Sequence, residues 1–189
     1  MKKFFFAAVL YFFSTTIVFA QSNLPVFDKS PMDESYCPMN YPLLKIQDKL
    51  TDPLIARVIY SRPQKSGRVI FGDLIEYGKV WRLGANEATE IEFFQDVKIG
   101  NAKIKKGRYS LYAIPDTGKW TIIVNKETHT WGSFRYDVKK DAARIDVPVQ
   151  KTTELSEAFT ILFDKSDKSY DLKFSWDDVK VTVPVSISL

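Results

Sequence analysis

The sequence contains very little of the two side chains that most often build metal and redox sites. Its only cysteine is Cys37 and its only histidine is His129. A single cysteine excludes an internal disulfide, and one cysteine with one histidine excludes zinc sites built from clusters of these residues. The sequence therefore predicts no metal site and no cofactor. The side chains available for a functional site are therefore carboxylates, arginines, aromatic side chains and the single imidazole.

Blocks of one charge, internal repeats and low-complexity tracts are also missing. The chain has 189 residues, a size typical of one domain, and its hydrophobic fraction of 45% is ordinary for a folded protein. The net charge is +4. Nucleic-acid binding favours Lys and Arg clustered together and interleaved with aromatic residues. That pattern is absent, so we expect no nucleic-acid partner.

The N-terminus has the pattern of an export signal. Lys2 and Lys3 precede an apolar run, and Val18 and Ala20 supply the small residues of a cleavage site. The alternative is a membrane anchor, but the run is short for the ~20 apolar residues that span a bilayer. We expect residues 1–20 to be a signal peptide cleaved near Ala20, leaving a periplasmic or secreted protein without a membrane span. Cleavage would also remove Lys2 and Lys3, which leaves 25 basic and 23 acidic residues and a net charge of +2.

Residues 21–53 differ in composition from the rest of the chain. They are too rich in proline for a long helix or a continuous strand. We therefore expect an extended lead-in over 21–53, followed by one domain over 54–189. The prolines concerned are Pro25, Pro31, Pro38, Pro42 and Pro53.

The remainder of the chain has the pattern of short strands. Residues 89–94 alternate apolar with charged, which is typical of a half-buried strand, and residues 170–176 and 179–185 carry apolar stripes of the same period. Turn residues predict hairpins at 96–105 and 107–124, and further breaks at 164–167 and 177–178. About nine strands at spacings of about 8–12 residues indicate an all-β fold, an antiparallel β-sandwich that is jelly-roll-like or barrel-like.

One segment, residues 61–88, interrupts the regular spacing of the predicted strands. Structureless loops longer than about 12–15 residues are uncommon, and they are usually functional or disordered. This segment is too apolar to be disordered. We expect a long insertion that packs on the sheet and carries a site.

Several strings in this segment and beyond it form a specific pattern. They are Tyr-Ser-Arg-Pro at 60–63, Gly-Arg-x-Ile-Phe-Gly at 67–72 and Trp-Arg-x-Gly-Ala-Asn-Glu-Ala-Thr at 81–89, together with Gly-x-Tyr-Ser-Leu at 107–111 and Trp-Gly at 131–132. These strings resemble a bacterial secreted family labelled domain of unknown function 2911. The resemblance covers the chain from about residue 30 to its end. It implies an exported, mostly β protein. It implies no activity, because none is assigned to the family.

Three arginines of the insertion are candidate ligand-binding residues. A planar guanidinium binds carboxylate or phosphate through two parallel hydrogen bonds, so Arg62, Arg68 and Arg82 can converge on an anion. The alternative is structural, with each arginine fixing the long loop through backbone carbonyls and neighbouring carboxylates.

Aromatic and polar residues complete the candidate site. Trp81 and Trp131 either stack on a ligand or fill the core, where large aromatics usually lie. Beside Trp81, Asn86 either caps a turn or faces a ligand, and Glu87 is a candidate general base. The predicted ligand-binding set is therefore Arg62, Arg68, Trp81, Arg82, Asn86, Glu87 and Trp131.

The sequence favours a non-catalytic binding module over an enzyme. The expected partner is a small polar ligand, a glycan or a cell-envelope component. One alternative is a hydrolase that uses Glu87, Asp73 or His129, although no Gly-x-Ser-x-Gly elbow marks a nucleophile. A second alternative is a protein–protein interaction module that recruits its partner through strand edges.

Overall fold

A computed structural model of the chain describes residues 24–167 and 169–188. The predicted signal peptide, residues 1–20, lies outside the described residues. Within the described residues, none of the helices has the length and apolar character needed to cross a membrane.

The described chain is almost entirely β-structure, which confirms the predicted all-β class. It forms one antiparallel sheet of nine strands in the order β1-β2-β3-β6-β7-β8-β9-β4-β5, and this sheet is not closed into a barrel. A helix, α1, follows β1, and one turn of 3-10 helix at Val138–Lys140 precedes β8. The strands are β1 Met32–Cys37, β2 Ala56–Ser61, β3 Thr89–Phe93, β4 Val97–Ile99, β5 Ala102–Ile104, β6 Gly107–Pro115, β7 Lys119–Asn125, β8 Asp141–Lys165 and β9 Tyr170–Ile187, and α1 is Tyr41–Ile46.

The long strand β8 joins two halves of the sheet. Its first part pairs with β7, from Asp141 to Pro148, and its remainder pairs with β9, from Val149 to Lys165. Apolar residues of both halves, such as Ile91 of β3 and Val183 of β9, belong to a single buried cluster. The sheet therefore folds over one core in the manner of a sandwich.

The two predicted hairpins are confirmed, but the later breaks are only partly correct. Residues 177–178 were expected to form a turn, and β9 instead runs through them. Asp177 has a φ of 55°, and the register between β8 and β9 shifts on both sides of its partner Ser156. A local irregularity of this kind absorbs extra residues without ending the strand. The two predicted stripes, 170–176 and 179–185, thus belong to one long strand, β9.

The proline-rich lead-in contributes to the sheet. Its residues Met32–Cys37 form β1, which pairs along its whole length with β2 at one end of the strand order. Cys37 at the end of β1 is fully buried, and burial raises the pKa of its thiol to about 12. This placement shields the Cys37 thiol from solvent.

The insertion 61–88 packs against the core, as predicted. Trp81 forms an isolated β-bridge with Ala113 of β6, its backbone N–H and carbonyl each hydrogen-bonding across the bridge at 2.7 and 2.8 Å. Its ring lies parallel to that of Trp176 with centroids 5.9 Å apart, and meets Trp120 and Phe159 edge-on. An aromatic cluster therefore anchors the long loop.

Candidate functional site

The connection between β7 and β8, residues 126–140, forms a loop that we call the Trp131 loop. Its base is held by Asn125, the last residue of β7, which is almost completely buried. The Asn125 amide Nδ2 donates to the Asp137 carbonyl at 3.0 Å and to Asp141 Oδ1 at 2.7 Å, while its Oδ1 accepts from the Glu127 N–H at 2.9 Å. One side chain thus joins both ends of the loop.

A second group of contacts fixes the end of the loop where it enters β8. The Tyr136 hydroxyl donates to Asp141 Oδ2 at 2.6 Å, and Arg144 contacts both of them, through Nε to Asp141 at 2.9 Å and through NH2 to Tyr136 at 3.0 Å. Burial raises the pKa of the Tyr136 hydroxyl, since its ring packs on the outer face of the sheet. The hydroxyl therefore stays a neutral donor near neutral pH.

The middle of the loop is fastened to the insertion. The Ala88 N–H donates to the Thr130 carbonyl and the Gly132 N–H to the Asn86 carbonyl, each at 2.9 Å, so that Trp131 sits in a β-bridge opposite Glu87. These contacts place the Trp131 loop in one defined conformation at the surface.

The loop surrounds an open cleft of about 710 Å³. Trp131 and Phe134 line it, and their side chains are 61% and 84% exposed. The polar residues of the cleft come from the same loop; they are Glu127, Thr128, His129, Thr130, Arg135, Asp137 and Lys140. The cleft therefore combines two exposed aromatic surfaces with a ring of polar groups.

Gly132 allows the aromatic side chain of Phe134 to lie against the backbone. Gly132 has a φ of +66°, and a Cβ at this position would come within 2.7 Å of Phe134 Cε2. A glycine is the one residue that meets both requirements without strain. The position of Phe134 at the cleft therefore depends on this glycine.

Most charges of the cleft have a partner inside the protein. Lys140 forms an ion pair with Glu127, and Asp137 Oδ1 accepts the Lys139 N–H at 2.9 Å at the start of the 3-10 turn. Arg135 is exposed, and within the described part of the chain its guanidinium takes part in no hydrogen bond or ion pair. Arg135 is thus a positively charged side chain of the cleft that has no ion-pair partner among the described residues.

A smaller cavity of about 220 Å³ adjoins the cleft on the other side of His129 and Thr130, which line both. Its charged residues are Glu87, Glu90 and Arg108. His129 Nδ1 lies 3.8 Å from Glu90 Oε1, and the same oxygen accepts the His129 backbone N–H at 2.6 Å. Arg108 is 3.8 Å from Glu90 Oε2. The cavity thus holds two carboxylates beside an imidazole and a guanidinium.

The structure brings three of the predicted ligand-binding residues together. Asn86 and Glu87 are bonded through their backbones to the Trp131 loop, Trp131 lines the cleft, and Glu87 lines the adjoining cavity. Asn86 has a φ of 57°, so its role is to turn the backbone toward that loop. The Asn-Glu pair and the tryptophan, far apart in sequence, thus meet at one surface.

Two of the predicted arginines lie in structural positions away from the cleft. Arg62 connects β1 to β8, with NH1 donating to Asp33 Oδ2 at 2.9 Å, NH2 to Thr160 Oγ1 at 2.9 Å and Nε to the Phe159 carbonyl at 3.2 Å. Arg68 is exposed and donates to the backbone carbonyls of Gln64 and Lys65 in its own loop. Both correspond to the structural alternative, in which arginines fix the insertion.

Trp81 and Arg82 are also separate from the cleft. Trp81 is 5% exposed, and its Nε1–H donates to the Gly84 carbonyl at 3.1 Å. Arg82 is half-buried; burial lowers the pKa of its guanidinium, and its Nε has no hydrogen-bond partner in the described residues. Asp73, the carboxylate of the hydrolase alternative, is exposed on the insertion and lines neither cavity. We leave these residues out of the site.

Sequence reasoning did not find Phe134, Arg135 and Lys140. The signal that would have found them is the length of the β7–β8 connection, since 126–140 reaches the length of about 12–15 residues at which loops are usually functional. The spacing Trp-Gly-Ser-Phe-Arg at 131–135, with two aromatics around a glycine, was a second signal.

No cluster of three or more His, Cys, Asp or Glu side chains suited to a metal ion occurs in 24–167 or 169–188. The cleft is lined by the aromatic side chains of Trp131 and Phe134 and by polar residues, and Glu87 and Glu90 line the adjoining cavity.

Residues 44–185 match the model of a protein family described as "Protein of unknown function (DUF2911)". No curated protein matches the chain, and no solved structure matches it.

Proposed function

We propose that this chain, which belongs to the family Protein of unknown function (DUF2911), is a non-catalytic module that binds a glycan in the cleft of the Trp131 loop. One observation carries the proposal. Trp131 is 61% exposed on a firmly held loop, whereas the tryptophans Trp81, Trp120 and Trp176 are at most 5% exposed.

An exposed tryptophan beside polar groups suits a sugar better than it suits other small polar ligands. A sugar ring has an apolar face that stacks on an indole and hydroxyls that bond to polar groups at its edge. Binding sites commonly combine such apolar surfaces with a few placed polar groups, in volumes of about 300–1,000 Å³. The cleft of about 710 Å³ lies in this range and supplies both kinds of surface.

The fixed conformation of the loop supports the same proposal. A flexible loop must lose conformational entropy when it binds, and a rigid one loses much less. Asn125 closes the base of the loop, and the Thr130 and Gly132 backbones fasten its middle to the insertion. The exposed indole is therefore already in place before the ligand arrives.

Titration calorimetry with short neutral and acidic oligosaccharides tests the proposal. We expect at least one of them to bind, and Trp131→Ala to weaken that binding by about tenfold or more. Trp131→Phe, which keeps an aromatic surface, retains most of the affinity and serves as the control. Failure of all the oligosaccharides to bind, or equal binding by Trp131→Ala, would overturn the proposal.

We also propose that the protein acts outside the cytoplasm, in the periplasm or the medium. The support is the pattern of residues 1–20, with two lysines, an apolar run and small residues before Gln21. Mass spectrometry of the protein purified from its natural host tests this. An N-terminus at Gln21 is the expected result, and an intact Met1 with cytoplasmic fractionation is the contrary one.

The adjoining cavity favours a second candidate, a carboxylate-dependent hydrolase. Glu87, Glu90 and His129 line that cavity together, and His129 Nδ1 is 3.8 Å from Glu90. Two carboxylates at one cavity are the minimum for glycoside hydrolysis. Release of reducing ends from the bound oligosaccharides, lost in both Glu87→Gln and Glu90→Gln, would favour this candidate over the binding module.

A further inference from the structure

We infer that the cleft selects an acidic sugar, with Arg135 binding the sugar's carboxylate while Trp131 and Phe134 contact its ring. This inference rests on the proposed function and names the class of glycan for the same site. It depends on which charged side chains of the Trp131 loop have an ion-pair or hydrogen-bond partner among the described residues and which do not.

The acidic residues of the cleft already have hydrogen-bond or ion-pair partners within the protein. Glu127 pairs with Lys140, and Asp137 accepts the Lys139 N–H through Oδ1 while its carbonyl accepts from Asn125. Arg135 lies two residues before Asp137 and has no hydrogen bond or ion pair to any residue that the structure describes. The cleft therefore offers an incoming ligand one guanidinium that needs no protein contact broken first.

An arginine in this position suits a carboxylate. The planar guanidinium donates two parallel N–H bonds to the two carboxylate oxygens, and such charge-assisted pairs are stronger than neutral hydrogen bonds. Arg135 follows Phe134 in sequence, and both line the cleft together with Trp131. A sugar on the aromatic surface therefore has Arg135 within the same cavity, where a carboxylate carried by its ring would be bound.

The experiment compares a carboxylate with its uncharged methyl ester on the same sugar. Uronic-acid oligosaccharides and their methyl esters are titrated into the full mature chain at low ionic strength. The acid is expected to bind about tenfold or more tightly than the ester, and added salt weakens the acid alone because screening acts on the ion pair. Equal binding of acid and ester overturns the inference and leaves the proposed glycan site standing.

Two variants test whether Arg135 is the residue that favours the acid over the ester. Arg135→Gln removes the charge and is expected to reduce the affinity for the acid to that of the ester, with the ester itself changed by less than about twofold. Lys139→Gln removes the same charge from an exposed neighbour that does not line the cleft, and leaves both affinities unchanged. An equal loss in Lys139→Gln would show general electrostatic attraction and contradict a specific contact.

The two proposals fail in distinguishable ways. Loss of acid and ester binding together in Trp131→Ala, with discrimination lost only in Arg135→Gln, is the pattern that supports both. Binding of neither ligand, nor of any neutral oligosaccharide, overturns the proposed function itself. Retained discrimination in Arg135→Gln, with circular dichroism unchanged, overturns the assignment of the carboxylate to Arg135.

Discussion

Trp81 and Trp131 hold similar positions in the backbone and opposite positions in the molecule. Each lies in a long connection, and each forms an isolated β-bridge, Trp81 with Ala113 and Trp131 with Glu87. Ala113 lies on the inner face of β6, so the Trp81 ring enters the core and is 5% exposed. Glu87 is itself exposed, and Trp131 across from it is 61% exposed. A single bridge fixes each backbone, and the burial of the partner residue parallels the burial of the ring.

This difference separates the two tasks of the aromatic residues. The rings around Trp81 stabilise the fold, and the rings around Trp131 cost little stability and remain available to a ligand. Substitutions near Trp81 should therefore mainly lower the free energy of unfolding, whereas substitutions near Trp131 should mainly weaken ligand binding. Four variants test this, in order of decreasing effect on stability.

Trp81→Ala is expected to have the largest effect on stability. It removes a ring that contacts Trp120, Phe159 and Trp176, and truncating a buried Trp to Ala costs about 3–5 kcal/mol. Urea unfolding measures the loss. Cys37 labelling gives a second readout, since a buried thiol with a pKa of about 12 reacts at about pH 8 only when the core opens, and Trp81→Ala speeds that reaction. A loss below about 1 kcal/mol would contradict the assignment of Trp81 to the core.

Asn125→Ala is expected to have the next largest effect. It deletes three hydrogen bonds at the base of the Trp131 loop and leaves buried groups unsatisfied, which costs about 1–3 kcal/mol. Affinity for the oligosaccharide should fall although Asn125 does not line the cleft. Asn101→Ala, on the exposed β4–β5 turn, is the control and should change neither quantity. Unchanged binding in Asn125→Ala would mean that the loop keeps its conformation without this clamp.

Gly132→Ala is expected to have a moderate effect that is centred on the cleft. The left-handed backbone costs a residue with a Cβ about 1–2 kcal/mol, and the new methyl group would displace the Phe134 ring. Both Tm and affinity should fall. Gly118→Ala introduces the same methyl group at a turn where nothing lies within 4 Å, and should leave both unchanged. If the two variants behave alike, the left-handed turn at Gly132 does not position Phe134.

Trp131→Ala is expected to have the smallest effect on stability and the largest on binding. Surface substitutions away from special features usually change the free energy of unfolding by no more than about 0.5 kcal/mol. Urea unfolding and Cys37 labelling should match the parent protein. A destabilisation comparable to that of Trp81→Ala would remove the distinction between the two regions.

The strands could be predicted from the sequence to a large extent, and the site only in part. A period of two identified β3 and the apolar stripes of β9, because side chains alternate across a sheet whatever its neighbours are. Turn residues identified the two hairpins. The continuation of β9 through residues 177–178 could not be predicted, since Asp177 is equally suited to a turn and to an irregularity inside a strand.

The choice between Trp81 and Trp131 could not be made from local sequence. Each tryptophan has one polar neighbour, Arg82 or Thr130, and a glycine within three residues. What separates them is the residue that each one pairs with, Ala113 or Glu87, and each of these residues is distant in the chain. The structural role of Arg62 depends in the same way on a distant residue, because its Nε donates to the Phe159 carbonyl. Loop length was the available signal for the Trp131 loop.

The shared strand β8 has a consequence for how the protein unfolds. Because β8 belongs to both halves of the sheet and apolar residues of both halves form one buried cluster, separating the halves would expose that cluster to water. Pairings such as Ile99 with Val185 also join distant parts of the chain, as expected of all-β proteins that fold over milliseconds to seconds. We expect one cooperative transition. The Trp131 loop enters β8 directly, so a ligand held there adds its binding free energy to the stability of the entire described chain, and a shift in melting temperature reports its occupancy.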